Sequence, residues 1–327
     1  MKKCLIGVSG GIDSLFAAIQ LKKRKYDVTA VHLWLHSNDN LSKDIEYFLK
    51  KNGITLYYAD YRELFQRKVI DYFVDEYSQG FTPNPCNICN REVKLKALIK
   101  EADKLGINFI ATGHYADIKD GLIKRHFTDK DQSYFLASID KEMISRIIFP
   151  LSSYSKESIK GKMNFLNIQE SEDLCFIKNS YRQLLSEKLG KLKGKMINEE
   201  NDIVGYHDGF YNFTIGQRKK TKSGNAPHYV YRIDASKNIV FIAKENRLYV
   251  ENFYIDNINL FLHKDWFRDR IVKCSVRFRS KPKKAIFDAA HNKVILLEKQ
   301  KAVAPGQVAV FYYKDKVVGS GRIRNVC

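Results

Sequence analysis

Two sets of residues in this 327-residue chain could do chemistry. The first is Ser9-Gly10-Gly11-Ile12-Asp13-Ser14, set between the apolar run Cys4 to Val8, which includes Gly7, and a helix-like segment Leu15 to Leu21. A buried strand that ends in glycines and then opens a helix builds an anion cradle. Glycine lets the backbone approach a phosphate, and the first N–H groups of the helix point at it. Ser9 and Ser14 add hydroxyl donors, so the stretch reads as a nucleotide site. It is not a Walker loop, because Ile12-Asp13 stand where a Lys-Ser or Lys-Thr pair would follow, and the three-glycine dinucleotide spacing is absent.

The second set is thiols. In Thr82-Pro83-Asn84-Pro85-Cys86-Asn87-Ile88-Cys89-Asn90 two prolines stiffen the loop. Cys89 is expected near the first turn of the helix running through Lys94 to Leu105, where the positive end of the dipole favours a thiolate. Cys175, within Ser171-Glu172-Asp173-Leu174-Cys175-Phe176-Ile177, is the second exposed-looking candidate. The remaining cysteines are 4, 274 and 327. Cys4 and Cys274 lie in apolar runs and read as small buried thiols, and Cys327 is assigned nothing. A disulfide scaffold does not fit a cytoplasmic-looking chain. Cys86, Cys89 and Cys175 could hold an iron–sulfur cluster with one open iron, whereas zinc lacks an evident fourth ligand. The reading adopted is thiol chemistry without a cluster.

The elements that must position these groups alternate. Val28 to Leu35, Ile54 to Tyr58 and Ile107 to Thr112 are further strand-like runs, with helical stretches Ser42 to Lys51, Tyr61 to Tyr77 and Arg91 to Leu105 between them. Strands alternating with helices predict an α/β fold, a Rossmann-like parallel sheet covered on both faces, whose ligand crevice lies beyond the strands' carboxyl ends. Val8, Leu35 and Thr112 should converge there, placing Leu33 against a base and Gly113-His114-Tyr115 at the rim. Past Ser138 the alternation fades, leaving helices at Ser152 to Asn164 and Tyr181 to Leu189 and a break at Gly190 to Lys195. Short strand-like runs follow, then alternating runs from Asn252 onward that predict a small antiparallel barrel. The expected domains are 1–190, a catalytic nucleotide-binding domain; 191–248, a small β-rich central domain; and 249–327, a C-terminal β-barrel.

Charge narrows the partners. Lys and Arg number 56 against 37 acidic residues, a net +19, which points to a polyanion. Arg277, Arg279, Lys281, Lys283 and Lys284 crowd together, as do Arg218, Lys219, Lys220 and Lys222, with aromatic residues nearby that could stack on unpaired bases. No apolar run approaches the ~18 residues that span a bilayer, and Met1-Lys2-Lys3 leads directly into a strand without a signal-peptide pattern. The expected location is the cytoplasm, with no membrane partner.

The hexapeptide Ser9 to Ser14 resembles the PP-loop of ATP pyrophosphatases. Taken with Thr82-Pro83-Asn84-Pro85 leading to Cys89-Asn90, Ala111 to Tyr115, Lys130 to Leu136, Cys175-Phe176-Ile177, His207-Asp208-Gly209, Thr214 to Lys219 and Ala304-Pro305-Gly306-Gln307, the whole chain resembles the tRNA-specific 2-thiouridylases. That resemblance implies Cys89 as nucleophile and Cys175 as the persulfide carrier. It implies ATP contacts at Gly7, Val8, Ser9, Gly10, Gly11, Ile12, Asp13, Ser14, Leu33 and Gly113. It implies tRNA contacts at Asn84, Pro85 and Cys86, facing the target base, and at His114, Lys130, Asp131, Gln132, Arg277, Phe278 and Gln307. ATP with Mg2+ is the implied cofactor, and the implied partners are tRNA and a persulfide donor, a cysteine desulfurase or relay protein. The implied reaction adenylates the C2 oxygen of a wobble uridine, then transfers sulfur with release of AMP. Two departures stand out: many members carry Asp where this chain has Cys86, and the loop between Leu35 and Ser42 is shorter than in many. The competing readings are a tRNA-binding protein with structural ATP, against which the paired cysteines argue, and a pyrophosphatase acting on a small acid.

Overall fold

β1 (Lys3–Gly7), β2 (Asp27–Trp34), β3 (Thr55–Asp60) and β4 (Phe109–Ala111) are followed by a hairpin, β5 (Ala116–Lys119) and β6 (Leu122–Arg125), and by β7 (Ile147–Ile148). The structure is a computed structural model and describes residues 1–37, 40–166, 168, 175–177, 180–219 and 227–326. Five of these strands form a parallel sheet in the order β3-β2-β1-β4-β7. The chain steps outward from β1 to β3, then returns to the other side of β1. The crevice between the carboxyl ends of β1 and β4 is therefore the topological switch point where such sheets bind ligands.

β1 is buried on both faces, with Cys4, Leu5 and Ile6 fully enclosed, as expected of a parallel strand covered by helices. The helix Ile12–Lys23 lays Leu15, Phe16, Ala18 and Leu21 into the same core, and it packs against the helix Lys156–Met163 through Ile159 and Met163. Burying a side chain such as Leu15 or Leu21 contributes roughly 2 to 3 kcal/mol. The sheet, its helices and the β5–β6 hairpin make up one compact unit, residues 1–69, 86–176 and 314–317.

A second unit comprises 70–85, 177–313 and 318–327. It holds a five-stranded sheet, in the order Arg218–Lys219, His228–Asp234, Ile239–Ala243, Gly194–Ile197, Ile203–His207, and a barrel. The six barrel strands run Tyr249–Leu260, Lys293–Lys301, Lys283–Asp288, Ile271–Ser275, Val308–Tyr313, Lys316–Val326, closed by pairing of the first with the last. Closure removes sheet edges, and Phe253, Phe267, Phe287 and Phe311 fill the interior. The helix Tyr181–Leu189 also belongs to this unit, where Tyr181 stacks on Tyr77 with ring centroids 5.7 Å apart.

Two predicted helices differ in form. Tyr61 to Tyr77 is interrupted by a π-helical stretch, Gln66–Ile70, between Arg62–Phe65 and Asp71–Ser78. Arg91 to Leu105 begins earlier, at Pro85, and runs through a π-helical stretch, Cys89–Lys94, into the helix Leu95–Lys104. A π turn adds one residue to the hydrogen-bonded ring, and no periodicity read from side chains reveals it.

Candidate active site

Gly7 closes β1 and packs against Leu98, whose methyl carbons would lie 3.1 and 3.2 Å from an added Cβ. Gly10 turns the chain with φ +86°, which an L side chain rarely adopts. Gly11 is the N-cap of the helix Ile12–Lys23, and having no side chain to cap the first amides it leaves them for a ligand. Ser14 turns inward: its hydroxyl donates to the Gly11 carbonyl at 2.8 Å and accepts from the Ser9 amide at 3.2 Å, so it frames the loop. The Val8 carbonyl is bonded to His32 Nδ1 at 2.8 Å. Burial is the larger influence on that imidazole and pushes its pKa down, outweighing the Val8 carbonyl.

Asp13 is tied from two distant segments. Tyr115 donates its hydroxyl to Oδ1 at 2.7 Å, and Lys156 Nζ meets Oδ2 at 2.8 Å. Gly113 fits against the loop so closely that a Cβ there would sit 2.9 Å from the Ser14 amide and 3.0 Å from the Asp13 carbonyl carbon. The cradle is thus shaped for a phosphate by backbone and glycine. Leu33 lies near the end of β2, half-buried and paired with Ala59.

The helix that begins at Pro85 carries two of the thiols, Cys86 and Cys89. Asn87 Nδ2 donates to the Tyr134 carbonyl at 2.8 Å and Asn90 Nδ2 to the Phe135 carbonyl at 3.0 Å, which pins its start. Cys86 is half-buried, Cys89 buried and Cys175 exposed, and none of the three is in a disulfide. Phe176 anchors the last of them through an edge contact with Phe65 at 5.8 Å. Lys94 was not singled out from the sequence, yet it is the cation among these sulfurs. Burial alone would lower its pKa; Cys89, Cys175 and Cys86 together raise it instead, so it stays charged.

The expected dipole-activated Cys89 is corrected here. With the helix starting at Pro85, Cys89 lies a turn in, and burial pushes its thiol up; Lys94 and its main-chain N–H pull the other way without overcoming this. Cys175 is reachable by solvent yet surrounded by enough protein that its pKa is raised as well, again opposed by Lys94. Cys4 is pushed up to about 12 by burial alone and Cys274 higher still, as expected of inert thiols.

His114 links the two halves of the site. It follows Gly113, which seats on the phosphate loop, and its Nδ1 is 2.8 Å from Thr112 Oγ1. Burial, then the charge of Lys94, drop its pKa to about 3, so the ring is neutral.

Other expected contacts have internal duties. Asp131 accepts from Arg125 Nε, the His126 amide and the Ser133 amide and hydroxyl, while Gln132 Oε1 accepts from the Tyr115 amide at 2.9 Å. Only Lys130 of that trio projects into solvent. In the second unit, Gln307 Nε2 donates to the Thr82 carbonyl at 2.7 Å and the Thr82 amide to the Pro305 carbonyl at 2.8 Å. Gly306 has φ +90°, and a Cβ there would meet Phe81 and Thr82 at 2.9 Å. The Ala304 to Gln307 string therefore anchors the irregular segment from which Asn84-Pro85 lead into Cys86. Arg277 is exposed and Phe278 half-buried beneath the Arg279 guanidinium, 5.1 Å from the ring centre. Lys283 of the same basic turn pairs with Glu298 at 2.6 Å. Arg218 and Lys219 form a short strand, and Lys220 and Lys222 lie outside the described residues, as do Ser171 to Leu174 and Cys327.

No group of three or more His, Cys, Asp or Glu among the described residues is arranged to hold a metal ion. Asp13, the carboxylate of the phosphate loop, is engaged by Lys156 and Tyr115. No helix among the described residues is long and apolar enough to cross a membrane.

Residues 2–179 match the family model described as the tRNA methyl transferase HUP domain, 182–244 the tRNA methyl transferase PRC-barrel domain and 250–323 the aminomethyltransferase beta-barrel domain. With the phosphate loop at the sheet's switch point, these define an α/β enzyme of the PP-loop type carrying a small β domain and a C-terminal barrel. The tRNA-specific 2-thiouridylase of Campylobacter lari is 37% identical over 98% of this chain and 99% of its own length, and that of Sulfurimonas denitrificans 37% identical over 99% of each. The chain belongs to the tRNA-specific 2-thiouridylase family. Among solved structures, a 4-thiouridine synthetase in complex with RNA and bound ATP aligns with a TM-score of 0.35 and 20% identity, covering 51% of this chain and 41% of that one.

Proposed function

We propose that the protein thiolates C2 of the wobble uridine in tRNA anticodons, using ATP to activate the base and a persulfide to supply sulfur. The observation that carries this reading is the Gly113-His114 step, which seats against the Asp13-Ser14 backbone on one side and feels the charge of Lys94, and hence the thiols, on the other. An anion cradle and a set of sulfurs in one compact unit suit a reaction in two halves.

In the first half the cradle holds ATP so that the uridine C2 oxygen attacks the α-phosphorus and pyrophosphate leaves. A C2 carbonyl has no leaving group, and adenylation supplies one. Mg2+ belongs to this scheme as the companion of the nucleotide's phosphates. The base enters turned out of its stack, since an unpaired anticodon base is the form such pockets read. Neutral His114 can hold a hydrogen bond there without adding charge.

In the second half Cys175, the exposed thiol, takes a sulfur atom from a protein persulfide donor. The terminal persulfide sulfur attacks C2 and AMP leaves. Cys89 then attacks the Cys175 sulfur, releasing the thiolated base and leaving a Cys89–Cys175 disulfide that a reductant reopens. Lys94 steadies whichever sulfur is anionic. The basic turn around Arg277 and the exposed Lys130 serve the tRNA backbone, with 191–248 and 249–327 as the modules that carry the rest of that contact.

The test is a thiolation assay with tRNA, ATP and a persulfide-loaded donor, read by mass analysis of nucleosides. Formation of 2-thiouridine with tRNA-dependent pyrophosphate release is expected. Release that is fast with a small acid and indifferent to tRNA overturns the reading, and undiminished turnover in Cys175→Ser overturns the persulfide role.

A further inference from the structure

Beyond the contact with the target base that the family resemblance implies, Cys86 takes no part in sulfur transfer between Cys175 and Cys89, and its position gives it one. It is the second residue of the helix that begins at Pro85, and Cys89 follows three residues later with helical backbone between them, Ile88 having φ −65° and ψ −43°. Residues i and i+3 of a helix have Cα atoms about 5 Å apart, inside the roughly 4.4 to 6.8 Å that a disulfide requires. The three thiols are graded in access, Cys175 exposed, Cys86 half-buried and Cys89 buried. All three interact with the cation Lys94. An outside reductant therefore meets Cys89 last, and if it attacks Cys175 it occupies the residue that must receive the next sulfur.

We propose that Cys86 is a resolving thiol, which moves the disulfide left by each turnover from Cys89–Cys175 to Cys86–Cys89. The inference rests on the proposed function. The Cys86 thiolate attacks the Cys89 sulfur; the Cys86–Cys89 bond forms as the Cys89–Cys175 bond breaks, and the electron pair departs on Cys175, which takes up the proton that Cys86 gave up. No net oxidation occurs. A dithiol reductant then supplies two electrons and two protons to the Cys86–Cys89 bond and becomes a disulfide itself. Being intramolecular, the exchange gains from proximity, and it frees Cys175 for reloading before any reductant arrives.

The test uses full-length protein turning over tRNA with ATP and a persulfide donor under limiting dithiothreitol, quenched in acid with N-ethylmaleimide and mapped by non-reducing mass spectrometry. In the wild type Cys86–Cys89 is expected to be the main disulfide. In Cys86→Ser, and in Cys86→Asp as a second variant, Cys89–Cys175 should accumulate, and the ratio of steady-state to single-turnover rate should fall at least about fivefold, with recovery at saturating dithiothreitol. A wild type that makes 2-thiouridine but accumulates only Cys89–Cys175 overturns the inference alone, and one that makes it with no disulfide at all overturns the persulfide scheme as well. Iron and sulfide that copurify anaerobically and are required for turnover also overturn it. A wild type that makes no 2-thiouridine overturns the functional reading beneath it.

Discussion

The phosphate loop and the thiol cluster belong to the same compact unit and are built by opposite means. Ser14 bonds to Gly11 and Ser9, and Gly10 supplies the one strained turn, so the loop's shape comes from six consecutive residues. Its outside supports, Lys156, Tyr115 and Gly113, fix where it sits. The thiols have no comparable local frame. Cys86, Cys89 and Lys94 come together because a helix starts at Pro85 and widens into a π turn, and Cys175 arrives from a distant segment held by Phe176 on Phe65. The loop thus depends on close fit, where a single atom is costly. The thiols depend on charge, where loss of one lysine should weaken every sulfur at once.

Substitutions can pull these apart. The largest effect is expected for Cys89→Ser or Cys175→Ser: loss of thiolation by on the order of a thousandfold or more, with ATP affinity unchanged by calorimetry. Next is Gly113→Ala, whose methyl must displace the loop backbone at Ser14. Tuning of that kind costs about a hundredfold per ångström of misplacement, to be read as lost tRNA-dependent pyrophosphate release, while iodoacetamide labelling of Cys175 keeps its wild-type rate. If labelling falls equally, the two halves are one structural unit and the contrast fails.

Lys94→Met is the reciprocal experiment. Lys94 lowers the pKa of Cys89 and Cys175, so removing it moves both further up. Labelling of Cys175 at pH 8 should slow about fivefold, and its rate should recover as pH rises, with nucleotide affinity intact. In the wild type the Cys89 thiol already lies above its ordinary value, so its labelling should still climb past pH 9 instead of levelling off. His114, at about 3, contributes no limb between pH 5 and 8, and His114→Gln should leave the shape of the pH–rate profile unaltered. The smallest effect is expected for Tyr115→Phe, which removes one hydrogen bond to Asp13 that Lys156 still holds. About 1 kcal/mol should appear as a few-fold rise in the KM for ATP.

The sequence alone determined the glycine loop after β1, the alternating strands and helices around it and the barrel, and it singled out Cys89 and Cys175 as candidate thiols. Those signals are local: glycines after an apolar strand, period-two runs between turns, prolines ahead of paired cysteines. Tertiary structure decided what depends on distance along the chain. Lys156 and Tyr115 reach Asp13 only through the sheet and the helix Lys156–Met163. Asp131, Gln132 and Gln307, which the family resemblance offered as tRNA contacts, spend side-chain bonds inside the fold, because buried loops need partners for their polar groups. Lys94 joined the thiols because a π turn shifts a residue five places on beside Cys89, where an ordinary helix would favour the fourth.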